Sequence, residues 1–529
     1  IVAEEIEKAK DLKVGNGALV SLDPLTEEIL VMVGSKDYFD LENSGNFNVA
    51  ADGLRQPGSA IKPINYVTAF RKGFTPASMI MDVPTTFPGG ANLPDYKPVN
   101  YNGTYQGPIQ LRYALGNSIN IVAVKLLQLV GLPAMLEMSR EMGITTLNET
   151  SRYGLSLTLG GGEIKLIELT AAYTVFANGG LYREPVAILE VKNSAGQILE
   201  KSDKLLEMDG KKVLSKEEAY LISNILSDNN ARSAVFGPYS PLVIPGHTVA
   251  VKTGTTDDKH DNWTMGYTPS LVVGVWVGNN DNSPMDKSLA SGISGAAPIW
   301  HRAMVEFLKD KKDEPFKRPE GIVEQDIDTL TGLLPYESAM VRREIFIKET
   351  VPNAHSDMYE KLKICKNDGK IAGRACEESG NTEDKIYIKL KDALPEWQPF
   401  VDKWLGQNRD KLAGDHWQWY PPSETSALYF EETGEVDYRE RPLVKLSQPE
   451  TGVFLADVIS PFTVLKVEFF MDDQPLGPAL TSIPYRQTIT GGNLTTGSHR
   501  LKVLAHDSAG NIGEKEIILS TTAIGGSVD

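Results

Sequence analysis

Cysteine is nearly missing from this chain: 529 residues carry two, Cys365 and Cys376. They stand close together in a Gly-, Asn- and Lys-rich segment, ICKNDGKIAGRAC. That excludes a cysteine-built metal centre and a multi-bridge scaffold. It leaves two free thiols or, in an exported chain, one local disulfide. Basic charge is also in deficit, since 53 Lys and Arg against 70 Asp and Glu give a formal net charge of -17. Nucleic acid and anionic membrane surfaces attract basic faces, so neither is an expected partner. No apolar run reaches the roughly 18 residues of a membrane span. The opening, IVAEEIEKAKDLKVGNG, has neither a basic region nor an apolar signal core. It reads as a helical connector cut from a longer exported chain. The seven histidines form no ligand-spaced cluster, so no metal or cofactor is called for.

What remains is ordinary globular composition, 41% apolar and 23% charged. At roughly 100 to 200 residues per domain the length implies about three domains. Residues 18 to 34 alternate as a hairpin around a polar, Pro-containing turn. Helical periodicity follows after Ser59, across Leu111 to Val130, and near residues 133–142, 163–178 and 215–227. Strand patterns return in HTVAVK and TMGYTPSLVVGVWVG, and a helix near 297–309 closes the region. Early strands, a helical middle and late strands predict one α+β domain over 15–311, after the connector 1–14. From 312 to 443 the texture turns Pro- and charge-rich and predicts an irregular linker region. From 444 to 529 short β-rich runs spaced by turns predict a small all-β sandwich, and its VEFFMDDQPLG and GSHRLKVLAHDSAGN resemble bacterial immunoglobulin-like modules.

Three short constellations carry chemistry. In RQPGSAIKPINY, Ser59 and Lys62 at i, i+3 share one face of a helix start, so an amine reaches a hydroxyl. A serine needs such a base, and a lysine acts as one when burial and neighbouring cations depress its pKa. In HTVAVKTGTT, Lys252, Thr253 and Gly254 end a strand, offering a cation, a hydroxyl and a close-approach position to a bound carboxylate or backbone. Thr255 adds a hydroxyl and a backbone N–H. The third element, Ser-x-Asn, occurs at Ser44, Ser118, Ser227 and Ser379. Ser227 ends an amphipathic helical run, where serine and asparagine are ordinary terminators, so we favour Ser118, with Asn120, at the opening of an apolar helix. The clustered aromatics Trp397, Trp404, Trp417, Trp419 and Tyr420 suit buried packing better than sugar binding.

The ordered triple Ser59–Lys62, Ser118–Asn120 and Lys252–Gly254 resembles the motifs of penicillin-binding proteins and serine β-lactamases. Its surroundings, NYNGTYQGPIQLRYALGNSINIVAVKLL, LTLGGGEIKLIELTAAYTVFANGG and KTGTTDDKHDNWTMGYTPSLVVGVWVGNND, resemble the transpeptidase domain of class A penicillin-binding proteins over residues 15 to 310. The resemblance implies an antiparallel sheet flanked by helices and a D,D-transpeptidase that cross-links peptidoglycan through an acyl-Ser59. In that reading Lys62 is the general base, and Ser118 and Lys252 relay protons. Asn120, Thr253, Gly254 and Thr255 line the substrate, and the Ser59 and Thr255 amides form the oxyanion hole. Peptidoglycan stem peptides and β-lactam antibiotics are the implied partners, with cell-division or elongation proteins beside them. A D,D-carboxypeptidase, a β-lactamase or a non-turnover β-lactam sensor is the alternative, and Glu163 is the residue to test as a water-activating base. The family's membrane helix and glycosyltransferase domain are not in the sequence. Membrane contact is therefore expected only through an N-terminal anchor, and the location on the extracytoplasmic face. More weakly, DIDTLTGLLP and EIFIKETVP resemble segments that follow such domains.

Overall fold

The computed structural model describes the chain apart from residues 90–93, 202–209, 287–292, 338, 413–417, 420, 427–428, 431–435, 438–440, 451, 490–496 and 522–529. It divides into two compact units, residues 1–358 with 390–411, and residues 359–389 with 412–529.

The first unit is built on a five-stranded antiparallel sheet. Its strands are β1 (Asn16–Leu22), β2 (Ile29–Val33), β3 (Ala250–Thr255), β4 (Asp261–Thr268) and β5 (Leu271–Gly278), in the order β2-β1-β5-β4-β3. All eight residues of β4 and of β5 are buried, because helices cover both faces, and a strand covered on both faces reads as a continuous apolar run. Ala18, Val20, Met265 and Trp276 face a core shared with α1 (Lys62–Arg71), α2 (Asn120–Val130), α3 (Leu166–Ala177) and α4 (Lys216–Ser227). Leu19, Val273, Val275 and Val277 face α5 (Ala296–Leu308). Strand β3 lies at the sheet edge, with Lys252 opposite Met265 and Gly254 opposite Trp263 on β4. The start of α4 is fixed by a capping box of Ser215 and Glu218, which satisfies two otherwise orphaned backbone donors.

One helix expectation is corrected. The apolar period across Leu111 to Val130 is not one helix: Leu111–Gly116 ends, and α2 begins at Asn120. Asn117 breaks it by donating its side-chain amide to Tyr113 O and Ala231 O. Ser118 then adopts a left-handed conformation with φ of 58°. Apolar spacing alone does not register such a break. The stretch after 312 holds more order than its texture suggested: Ile322–Asp328 and Val341–Ile347 pair as an antiparallel hairpin. Glu344 of that hairpin forms a buried ion pair with Arg112 at 2.6 Å.

In the second unit Cys365 and Cys376 are joined by a disulfide, beside the antiparallel pair Tyr359–Cys365 and Thr382–Ile388. A three-stranded sheet (Leu443–Glu450, Val453–Ile459, Tyr485–Thr488) and a four-stranded sheet (Gln474–Pro475, Val464–Met471, Gly497–Asp507, Ile512–Thr521) share one apolar core. Val444, Phe454, Phe469, Leu501 and Val503 belong to it. Along Gly497–Asp507 every second residue from His499 is buried, the period of a strand with one face on a core. Of the aromatic cluster, Trp397 and Trp404 are buried, while Trp417, Tyr420 and the side chain of Trp419 lie outside the described residues.

Candidate active site

Ser59 sits in a 3-10 turn, Gly58–Ile61, that runs directly into α1. The turn is pressed against the end of β3 through two glycines. Gly58 has φ of +55°, and a Cβ there would lie 2.6 Å from the Thr255 backbone nitrogen. A Cβ on Gly254 would lie 2.1 Å from Pro57 O and 3.0 Å from the Ala60 Cβ. The space beside Gly254 is therefore filled by the serine turn itself. The preceding residues are pinned to the sheet, since Gln56 N donates to Asp261 Oδ2 and Trp263 Nε1 donates to Gln56 O. Trp276 Nε1 donates to Asp261 Oδ1 at 2.7 Å. Burial raises the Asp261 carboxyl, with these donors opposing.

Two lysines are buried beside this turn, Lys62 at 0% and Lys252 at 3% exposure. Between them stands the Ser118 hydroxyl. Lys252 Nζ donates to Ser118 Oγ at 2.8 Å and to Thr253 O at 2.8 Å. Lys62 Nζ donates to Ser118 O and to Asn120 Oδ1, both at 2.7 Å, and more weakly to Ser118 Oγ at 3.4 Å. No carboxylate is hydrogen-bonded to either ammonium among the described residues. Burial consequently holds Lys62 well below the usual lysine range, with the charge of Lys252 adding to the effect. Burial also pushes Lys252 down to about 7. A lysine so placed is neutral in part near neutral pH and accepts a proton.

Ser118 reaches this position because the break between helices gives it left-handed φ, a conformation that costs a non-glycine residue roughly 1–2 kcal/mol. Asn120 is held from behind. Asn100 Oδ1 accepts from Asn120 N and Ile121 N, at 3.0 and 3.2 Å. Asn100 Nδ2 donates to Asp82 Oδ1 at 2.7 Å. Asn120 Nδ2 donates to Val99 O, which leaves one of its two amide hydrogens for another acceptor.

The structure thus gathers Ser59, Lys62, Ser118, Asn120, Lys252, Thr253, Gly254 and Thr255 onto one turn, one helix break and one strand edge. The other Ser-x-Asn positions lie elsewhere. Ser227 Oγ bonds Asn224 O within its own helix, Ser44 lines a surface cavity of about 420 Å³ with Asn279 and Asn280, and Ser379 ends a short helix in the second unit. Glu163 is half-exposed and faces Arg152 at 3.8 Å. Sequence reasoning missed Asp82, Asn100 and Asp261, which bond to the motif residues or to their neighbours from separate stretches of the chain.

The Ser59 turn thus lies beside two buried lysines that share the Ser118 hydroxyl, at the edge of a helix-covered antiparallel sheet. Residues 17–304 match the family model described as penicillin binding protein transpeptidase domain, and residues 318–361 match penicillin-binding protein 1A, C-terminal domain. The chain belongs to the penicillin-binding protein transpeptidase family. It is 31% identical over 414 residues to penicillin-binding protein 2D of Bacillus subtilis, covering 77% of this chain and 54% of that protein. Penicillin-binding protein 1A of Aquifex aeolicus is 34% identical over 337 residues, 64% of this chain and 44% of its own. The chain spans about half the length of these relatives. Among solved structures, penicillin-binding protein 1A from Haemophilus influenzae superposes with a TM-score of 0.56 at 29% identity, over 64% of this chain and 54% of that one. The PonA1 protein from Mycobacterium tuberculosis in complex with penicillin V gives 0.50 at 25% identity, over 60% and 85%.

Proposed function

We propose that the chain is a peptidoglycan D,D-transpeptidase whose nucleophile is Ser59. The observation that carries this reading is the Ser118 hydroxyl held between two buried lysines, neither hydrogen-bonded to a carboxylate among the described residues. Neutral Lys62 takes the Ser59 proton as Oγ attacks the carbonyl carbon of the penultimate D-alanine of a stem peptide. The Ser59 and Thr255 amides receive the oxyanion. As the peptide C–N bond breaks, the departing D-alanine amine gains a proton passed from the lysine pair through Ser118 Oγ. In the second half an acceptor amine attacks the ester, loses a proton to the same relay, and Ser59 Oγ leaves protonated. Asn120 binds the donor peptide, and Lys252, Thr253 and Thr255 bind its terminal carboxylate.

A β-lactam acylates Ser59 by the same first step. The disulfide supports an extracytoplasmic location, because such bridges persist in oxidising compartments. The two-sheet body of the second unit is read as an immunoglobulin-like spacer. The test is the intact mass of the protein after incubation with penicillin V, followed by peptide mapping. A lasting adduct on the Ser59 peptide, absent from Ser59→Ala, is expected. Labelling that survives in Ser59→Ala, or an adduct lost rapidly with hydrolysis of the drug, overturns the reading.

A further inference from the structure

Residues 390–411 leave the second unit in sequence and belong to the first. They form a strap: a 3-10 turn, Pro395–Trp397, followed by the helix Gln398–Leu412. Its anchor is Asp392, whose fully buried carboxylate pairs with the fully buried ammonium of Lys125 on α2. The loop holding Asp392 is set beforehand by Gln398, whose Oε1 accepts from Asp392 N and whose Nε2 donates to Leu390 O. Trp397 packs edge-on to Phe87 at 6.1 Å between centroids and lies against Val124. The Trp404 ring fills the space where Gly107 has no side chain, since a Cβ there would lie 2.3 Å from the ring.

Lys125 and Val124 lie on α2, the helix that Asn120 opens, and Gly107 pairs with Asp82. Lys125 Nζ also donates to Met81 O at 2.9 Å. The next residue, Asp82, holds the Asn100 side chain and the Gln106 amide. Asn100 in turn holds the first two amides of α2, and Asn120 Oδ1 accepts from Lys62. An unbroken series of bonds and one peptide step therefore runs from Asp392 through Lys125, Met81–Asp82, Asn100 and Asn120 to Lys62. Nothing in protein stability requires that Lys125 be charged: a buried ion pair is commonly replaced by apolar residues without loss, whereas removal of one partner leaves an uncompensated charge.

Resting on the acyl-Ser59 reading above, we propose that Asp392 is a positioning residue for acyl transfer, acting through Lys125 on the wall that holds Asn120 and Lys62. The strap is then part of the catalytic domain in function as well as in packing, although both its ends continue into the second unit.

The experiment compares the parent chain with Lys125→Met/Asp392→Leu, which replaces the ion pair by an apolar pair, and with Asp392→Asn, which keeps the shape and removes the charge. Penicillin V is the probe. Its second-order acylation constant at Ser59 is measured by mass, and folding by circular dichroism and melting midpoint. The expected result is a double variant that melts at or above the parent midpoint yet acylates about tenfold or more slowly, with Asp392→Asn slowed likewise. Parent-like acylation, within twofold, in whichever variant keeps the parent's circular dichroism overturns the positioning role and leaves the Ser59 reading intact. A parent chain that penicillin V never acylates overturns both.

Discussion

Lys252→Met is expected to make the protein more stable and less active at once, and the two effects come from the same buried charge. Burial pushes the Lys252 ammonium down to about 7, whereas an unfolded lysine titrates near 10.4. Below pH 7 the group is charged in both states and the folded chain carries the full cost of burying it. Between about pH 7 and 10.4 the unfolded chain binds the extra proton, so parent stability rises with pH through that window. The gap corresponds to roughly 5 kcal/mol at pH 6 and about 2 kcal/mol at pH 9. Methionine removes the cost but also the bonds to Ser118 Oγ and Thr253 O, which offsets about 1–3 kcal/mol. A net gain of roughly 2–4 kcal/mol at pH 6 remains, seen as a melting midpoint several degrees higher. That lead shrinks by more than half at pH 9. In the same variant penicillin V acylation falls by about a hundredfold or more. Its acid limb moves to higher pH, because Lys62 no longer feels the Lys252 charge. A variant that melts below the parent at pH 6, or a lead that does not change with pH, refutes the argument.

Gly254→Ala drives a methyl into Pro57 O and Ala60. It should destabilise the first unit by about 1–3 kcal/mol, lowering the melting midpoint, and slow acylation by displacing the Ser59 turn. Ser227→Ala removes only a bond to Asn224 O and should leave the acylation rate within twofold of the parent; a large loss would mean that Ser118 is not the relay.

The sheet and the helices around it were legible because burial on one or both faces imprints a period, as in β5 or in α4 with its Ser215 and Glu218 cap. The residues gathered at the candidate site could be picked out because they stand at short spacings: Ser59 and Lys62 fall within one turn, and Thr253 and Gly254 follow Lys252 along a strand edge. At Gly254 the sequence shows that space is needed but not that Pro57 O and Ala60 of the serine turn lie against it. The helix break at Asn117 was invisible because its cause is a carbonyl of Ala231, far away in sequence. Asp82, Asn100 and Asp392 escaped notice for the same reason: each acts on the site across a distance along the chain that no local pattern records.

Because the strap is bracketed by two stretches of the second unit, no single crossover point in the gene separates the two units. A recombination that exchanges everything after residue 358 would carry away Asp392, Trp397 and Trp404 and leave the Lys125 ammonium buried without its counter-charge. An exchange after residue 411 would strand residues 359–389 without the sheets that complete their unit. The C-terminal body can thus be replaced cleanly only by a two-point exchange that leaves residues 390–411 in place, which ties the inheritance of this module to that of the transpeptidase domain.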